Sequence, residues 1–407
     1  MSAIKDKFDR MATEHAPGQE VRQSTDAIKH LARGDVLSGT PVDFSHGDVN
    51  ESAFAPTPGS TEAYLDGVRR GGEQAYTEYR GGAALREVLA DRLGRFTGAP
   101  VSGANELIIT PGTQGALFLA ISATAAAGDK VAIVRPDYFA NRKIVEFLGA
   151  EVVPVQMNYL EQDQGAGLDL GELEAAFRSG VKVFLFSNPN NPAGVVYSEA
   201  EIQKIAALGH QYGVTVIVDQ LYSRLRYSGA NYTHLRAVRG NLPNLITIMG
   251  PSKTESLSGY RLGVAFGSAD IIDRMERLQA IVSLRAPGYS QAVLHTWFDE
   301  PEGWMDDRIA RHQAIRDDLI TTLRSVTGVA VRVPQAGSYL FPRLPALDVS
   351  LHEFVSLLRS QAGVTVTPGT EFSPHSTDSV RLNFSQNHQA AAHAVERMAQ
   401  LIDRYRA

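Results

Sequence analysis

Lys253 follows the apolar run LITIM through GPS, at the end of what reads as a buried strand. An amine held there can lose solvation, shift its pKa down and attack a carbonyl carbon. The plainer alternative is a loop lysine reaching water. Asp219 closes a second run, VTVIV. A carboxylate at the end of a buried strand is costly unless it is paired or hydrogen-bonded, so it needs a cation, a helix to cap or a salt bridge. Gly112, Thr113 and Gln114 follow LIITP and open a helix. Such a turn offers free backbone N–H groups and the positive end of a helix dipole to a phosphate, although an ordinary strand–helix turn has the same spelling. Arg261 lies eight residues beyond Lys253, and Arg381 sits in VRLNF. Taken singly, each arginine is as well explained by solvent or an ion pair.

These residues need a scaffold that gathers strand ends. Seven short runs supply one: LIIT (107–110), KVAIVRP (130–136), AEVVPVQM (150–157), VKVFLFSN (181–188), VTVIVDQ (214–220), NLITIMG (244–250) and RLGVAFG (261–267). They are rich in Val and Ile, apolar on both faces and closed by turn residues, and helix-length segments separate several of them. That pattern predicts an α/β fold with a mainly parallel sheet covered on both faces. Ligands of such sheets bind outside the carboxyl ends of the strands, where the residues above collect. Residues 1–44 are polar and read as an arm associated with a C-terminal small domain. Residues 45–289 form the large domain, and 290–407 a smaller α+β domain introduced by a long charged helix pattern at 297–326. The glycine cluster GAGLDLG (165–171) has the wrong spacing for a dinucleotide fingerprint and reads as a loop entering a helix at Leu170.

Composition removes other chemistries. The chain has 407 residues with Lys+Arg 39 against Asp+Glu 45, a formal charge of −6 that does not suit nucleic acid. Cysteine is absent, which excludes disulfides, thiolate metal sites and cysteine nucleophiles; no metal centre is expected. The first ten residues are charged and lack the apolar stretch of a signal peptide, and the longest charge-free run is broken by PGTQG, so a cytoplasmic protein without a membrane span is expected.

In one order along the chain stand the glycine turn, NPNNPAG, Asp-x-x-Tyr, Ser-Lys, an arginine eight residues later and a late Arg-x-Asn. From about Ser45 to the C-terminus the sequence resembles the fold-type I pyridoxal phosphate (PLP) enzymes, specifically the class I/II aminotransferases related to aspartate aminotransferase. The resemblance implies a large domain with a mostly parallel seven-stranded sheet and a smaller α+β domain. It implies that Lys253 forms an aldimine with PLP and then moves the substrate's α-proton, and that Asp219 pairs with the pyridine nitrogen so that the ring acts as an electron sink. Tyr222 and Asn191 would hydrogen-bond the ring hydroxyl, and Tyr138 would stack on the ring. Gly112, Thr113, Gln114, Ser252 and Arg261 would cradle the phosphate, joined by Tyr76 from a partner subunit, which implies a homodimer. Arg381 would clamp the substrate α-carboxylate beside Asn191, with Gly47 lining the site and His46 either facing substrate or packing.

Three departures bear on specificity. Gly250 stands where a serine is common, DVN follows Gly47 where a proline is common, and Arg285 lies where a partner subunit contributes pocket residues. The activity implied is transfer of an amino group between an L-amino acid and a 2-oxo acid by a ping-pong route. Elimination, cyclisation, decarboxylation or oxidation on the same scaffold use the same cofactor residues. A PLP-binding regulator would need a DNA-binding domain that the first 44 residues are too short to spell, and a nicotinamide oxidoreductase would need the missing fingerprint.

Overall fold

The computed structural model describes residues 3–9, 23–47, 53–238 and 242–407. The DVN segment and most of the arm before Gln23 therefore lie outside the described residues. All seven runs become strands of one sheet: β1 (Leu107–Pro111), β2 (Lys130–Arg135), β3 (Glu151–Gln156), β4 (Val183–Ser187), β5 (Thr215–Asp219), β6 (Leu245–Met249) and β7 (Leu262–Gly267). Their order is β1-β7-β6-β5-β4-β2-β3. β2 through β6 pair in parallel with their neighbours, while β7 runs antiparallel to both β6 and β1. The reversal has a local cause. Between β6 and β7 lies only a short connection with one 3₁₀ turn, Ser258–Tyr260, and a parallel return needs a full crossover.

Alternate residues feed two cores. Phe184, Phe186, Val216 and Val218 pack on the helices Leu170–Arg178 and Glu199–Tyr212. Val183, Leu185, Ile217 and Ile248 pack on the opposite layer, where Gly112–Thr124 and Ala269–Val282 lie. Period-two alternation with both faces apolar is what a doubly covered sheet requires. β3 is the exception: it is an edge strand, partly open along its length, and it carries Pro154, which an edge tolerates.

Residues 165–168 are arranged as the loop reading expects, and two of their backbone donors already have an acceptor. The Glu201 carboxylate accepts from Ala166 N and Leu168 N, both at 3.0 Å, and also closes a capping box with Ser198 at the start of its own helix. Asp169 caps the following helix, Leu170–Arg178.

The C-terminal part has its own core, built from the helices Trp304–Ser325, Leu351–Ala362 and His388–Tyr405 against short strands at Tyr339–Leu340 and Val380–Asn383. Val42–Asp43 pairs in parallel with Val364–Thr365, and Ile28, Leu31 and Leu37 pack on the same core. The helix expected over 297–326 starts only at Trp304. Gly303 before it is left-handed (φ 77°), and Trp297 is fully buried with Leu89, Leu93 and Phe266 on the sheet side.

Candidate active site

The carboxyl ends of β1, β2, β4, β5 and β6 surround a cavity of about 380 Å³. Asp219 is the last residue of β5. One carboxylate oxygen accepts from Leu221 N at 3.0 Å, and no cation pairs with it among the described residues. Burial pushes its pKa up to about 6. Tyr222, in the turn that follows, is buried against the same cavity.

Lys253 follows β6 and its side chain stands open in the cavity, without a hydrogen bond or ion pair among the described residues. The loss of solvation that its position suggests is therefore not seen here. Its neighbours are fixed instead. Two residues on, Glu255 is buried and bound by Arg224 at 2.6 Å and by Trp297 Nε1 at 3.2 Å. Arg224 lies two residues after Tyr222 and also pairs with Glu300 at 2.7 Å. A buried ion cluster thus ties the Lys253 turn to the Tyr222 turn.

β1 runs through Pro111 into the helix Gly112–Thr124, and Thr113, Gln114, Ser252 and Arg261 line the cavity there. Gly112 has φ 75°, and a Cβ on it would lie 2.5 Å from an Arg261 guanidinium nitrogen, so glycine lets the arginine lie over the helix start. A Cβ on Gly250 would meet the Thr113 methyl at 2.8 Å and Gly263 Cα at 3.2 Å. The missing serine hydroxyl thus has a packing reason: Thr113 fills that space. Gly263 is tighter still, with a Cβ falling 2.4 Å from Thr113 N. Gly263→Ala should push the helix start outward and lower affinity for inorganic phosphate by about 10-fold, the cost of overpacking by one methyl. Calorimetry on the two proteins checks this, and equal affinities would refute it.

Tyr138 borders the cavity after β2, and its hydroxyl donates to Gln114 at 3.0 Å. Asp137 beside it is buried and accepts from Ser187 N at 2.9 Å and Ser187 Oγ at 2.6 Å; burial pushes its pKa up to about 7. Ser187 Oγ in turn accepts from Asn191 N at 3.1 Å. This chain of bonds holds the loop after β4 against the turn after β2.

Arg381 enters from the short strand Val380–Asn383 and is buried. It donates to Asn191 Oδ1 at 3.1 Å and to the Ser45 carbonyl at 3.2 Å, while its Nε has no partner. His46 also reaches the cavity. Its side chain is exposed and its Nδ1 lies 2.8 Å from Ser45 Oγ, so the alternative of a packed histidine is not the arrangement found. Gly47 sits near Ser385 and Asn383, outside the cavity lining. Tyr76 is not brought to this chain's cavity either; it is 80% exposed, with the Arg285 guanidinium 5.1 Å from its ring centroid. Sequence reasoning missed Tyr339, Asp137 and Ser187. An aromatic in GSYLF reads as core, and the Asp–Ser contact joins two loops about fifty residues apart.

No helix among the described residues is long and apolar enough to cross a membrane. The family described as aminotransferase class I and II matches residues 42–398. A crystal structure of an aspartate aminotransferase from Rhodobacter sphaeroides 2.4.1 is 64% identical, with a TM-score of 0.95 over 100% of both chains. The aspartate aminotransferase of Musicola paradisiaca is 25% identical over 100% of this chain and 98% of its own. Human kynurenine–oxoglutarate transaminase 1 is 28% identical over 73% and 76%. With a single family spanning both cores and the cavity between their strand ends, the chain belongs to the class I and II aminotransferases and is an aminotransferase.

Proposed function

We propose that this aminotransferase works with PLP and takes L-aspartate as amino donor and a 2-oxo acid as acceptor. The observation that carries the cofactor is the pairing of a desolvated, cation-free Asp219 with an unpartnered Lys253 across one cavity. Each lacks what PLP brings: a pyridine N–H for the carboxylate and a carbonyl carbon for the amine. The phosphate suits Thr113, Gln114, Ser252 and Arg261 at the helix start, and Tyr138 suits the ring face. Aspartate is supported by the full-length likeness to a 64%-identical aspartate aminotransferase.

Bound PLP supplies a protonated ring that takes up the electron pair left on the substrate's α-carbon. Asp219 keeps that ring protonated. Tyr222 and Asn191 hold the ring oxygen. Lys253 Nζ removes the α-proton and delivers it back, which its open position in the cavity permits. Arg381 orients the substrate through its α-carboxylate, from its place on the cavity wall beside Asn191. His46 borders the substrate's side of the site. We take residues 45–289 and 290–407 as the two domains, with 1–44 as an arm on the second.

The test is a half-reaction. L-Aspartate alone should convert the bound cofactor to its amine form and release one equivalent of the 2-oxo acid, without ammonia. Ammonia release, or no change with aspartate while another amino acid reacts, would refute the respective part of the reading.

A homodimer is part of the same proposal. Ile281, Val282 and Leu284 are exposed at 81%, 58% and 54%, next to Arg285 and its contact with Tyr76. An apolar strip of this kind fits a second copy, which would carry Tyr76 to the partner's phosphate site. Ile281→Asp should yield monomers by sedimentation and weaken PLP binding. A dimer with unchanged affinity would count against this interface.

A further inference from the structure

Tyr339 is a buried aromatic on the strand Tyr339–Leu340, and it faces the cavity. Its hydroxyl is hydrogen-bonded to that of Tyr222, with the two rings edge-to-face at 5.2 Å. The Arg381 guanidinium lies over its ring, 4.3 Å from the centroid. One side chain therefore touches both the arginine assigned to the substrate carboxylate and the hydroxyl assigned to the cofactor ring.

We propose that Tyr339 is a positioning residue that couples Arg381 to the Tyr222 hydroxyl. This rests on the PLP reading above. The ring is the platform on which the guanidinium is held by cation–π attraction, strengthened by burial. The hydroxyl works on Tyr222. The titratable and charged groups around it are Tyr222 and Asp219 from the β5 end, Lys253 from the β6 end, Arg381 from its own small sheet and Tyr138 from the β2 end. Burial raises both tyrosines, but Arg381 and Lys253 bring Tyr339 below the ordinary tyrosine value while Tyr222 stays well above it. Either hydroxyl can donate in this pair. The cation over its own ring makes Tyr339 the donor in this proposal, which leaves the Tyr222 O–H free for the cavity and strengthens it as a donor. A carboxylate arriving on Arg381 offsets that cation and weakens the whole chain of donation.

Two variants separate platform from hydroxyl. Tyr339→Phe keeps the ring. It should leave the affinity of the cofactor-free protein for succinate within about 2-fold of wild type, yet raise the midpoint of the pH-dependent absorbance of bound PLP by about 0.5 unit, the scale of one lost hydrogen bond. The direction is upward because weaker donation to the ring oxygen leaves the conjugated nitrogen more basic. Tyr339→Leu removes the platform and should weaken succinate binding by about 10-fold. An unshifted midpoint in Tyr339→Phe overturns the coupling, and unchanged succinate affinity in Tyr339→Leu overturns the platform. Should the wild-type protein take up no PLP, the cofactor reading fails by itself, and the succinate comparison still decides the role of the ring.

Discussion

Lys253→Ala is expected to reduce transamination by about 10⁴-fold or more, because the nucleophile and the general acid/base are lost together. The fold should not change. The Lys253 side chain makes no hydrogen bond or ion pair among the described residues and stands in a cavity, so its removal opens no void in a core and strands no partner. The melting temperature of the cofactor-free variant should therefore match wild type. Lys253→Arg is the sharper control. A guanidinium retains the positive charge but stays protonated, so it can neither attack a carbonyl nor take a proton. It should be as inactive as alanine. Full-time-course assays of both variants with aspartate and a 2-oxo acid decide the matter: a lysine whose only role was charge would leave Lys253→Arg active.

Asp219→Asn should move stability and activity in opposite directions. The carboxyl's folded-state pKa of about 6 lies above its ordinary value near 4. The folded protein then holds the proton to higher pH than the unfolded chain. Stability of the cofactor-free protein therefore falls as pH rises from about 4 to about 6, and the deficit persists above that range. An amide has no such deficit. Cofactor-free Asp219→Asn should melt above wild type at pH 7–8, with this difference gone at pH values below the unfolded pKa. Catalysis should drop roughly 10²–10³-fold, the usual cost of removing one preorganised electrostatic partner. Thermal scans across pH, paired with turnover, test both halves. A variant less stable than wild type at pH 8 would show that the bare carboxylate is not a strained group.

The positions of Lys253, Asp219, Thr113 and Asn191 were legible because a buried strand of this sheet reveals its carboxyl end: the apolar run stops, and the next residues fall on the binding edge. Tyr339 was not legible. Its ring is spelled like core, and its function comes from two contacts more than a hundred positions distant for Tyr222 and over forty for Arg381. Gly250 could be seen as a departure, but its reason lay in Thr113 and Gly263, which only the folded chain sets against it. The helix over 297–326 was read too long because charge and periodicity continue through Trp297, whose burial under the sheet is a tertiary choice. Tyr76 illustrates the opposite limit. Its likeness to a phosphate-binding tyrosine was readable, while its own chain keeps it on the surface.

The ion cluster behind the Lys253 turn constrains how this chain can drift. Glu255 is 1% exposed and faces Arg224, which also serves Glu300. Losing Arg224 leaves two carboxylates facing each other without their cation, at a cost of several kcal/mol, whereas losing either glutamate leaves the arginine one partner. Exchanging the whole set for apolar side chains can be neutral. Descendants are therefore channelled toward keeping Arg224 for as long as either glutamate remains. Two turns that share one site have in this way become a single heritable unit, inherited or abandoned together.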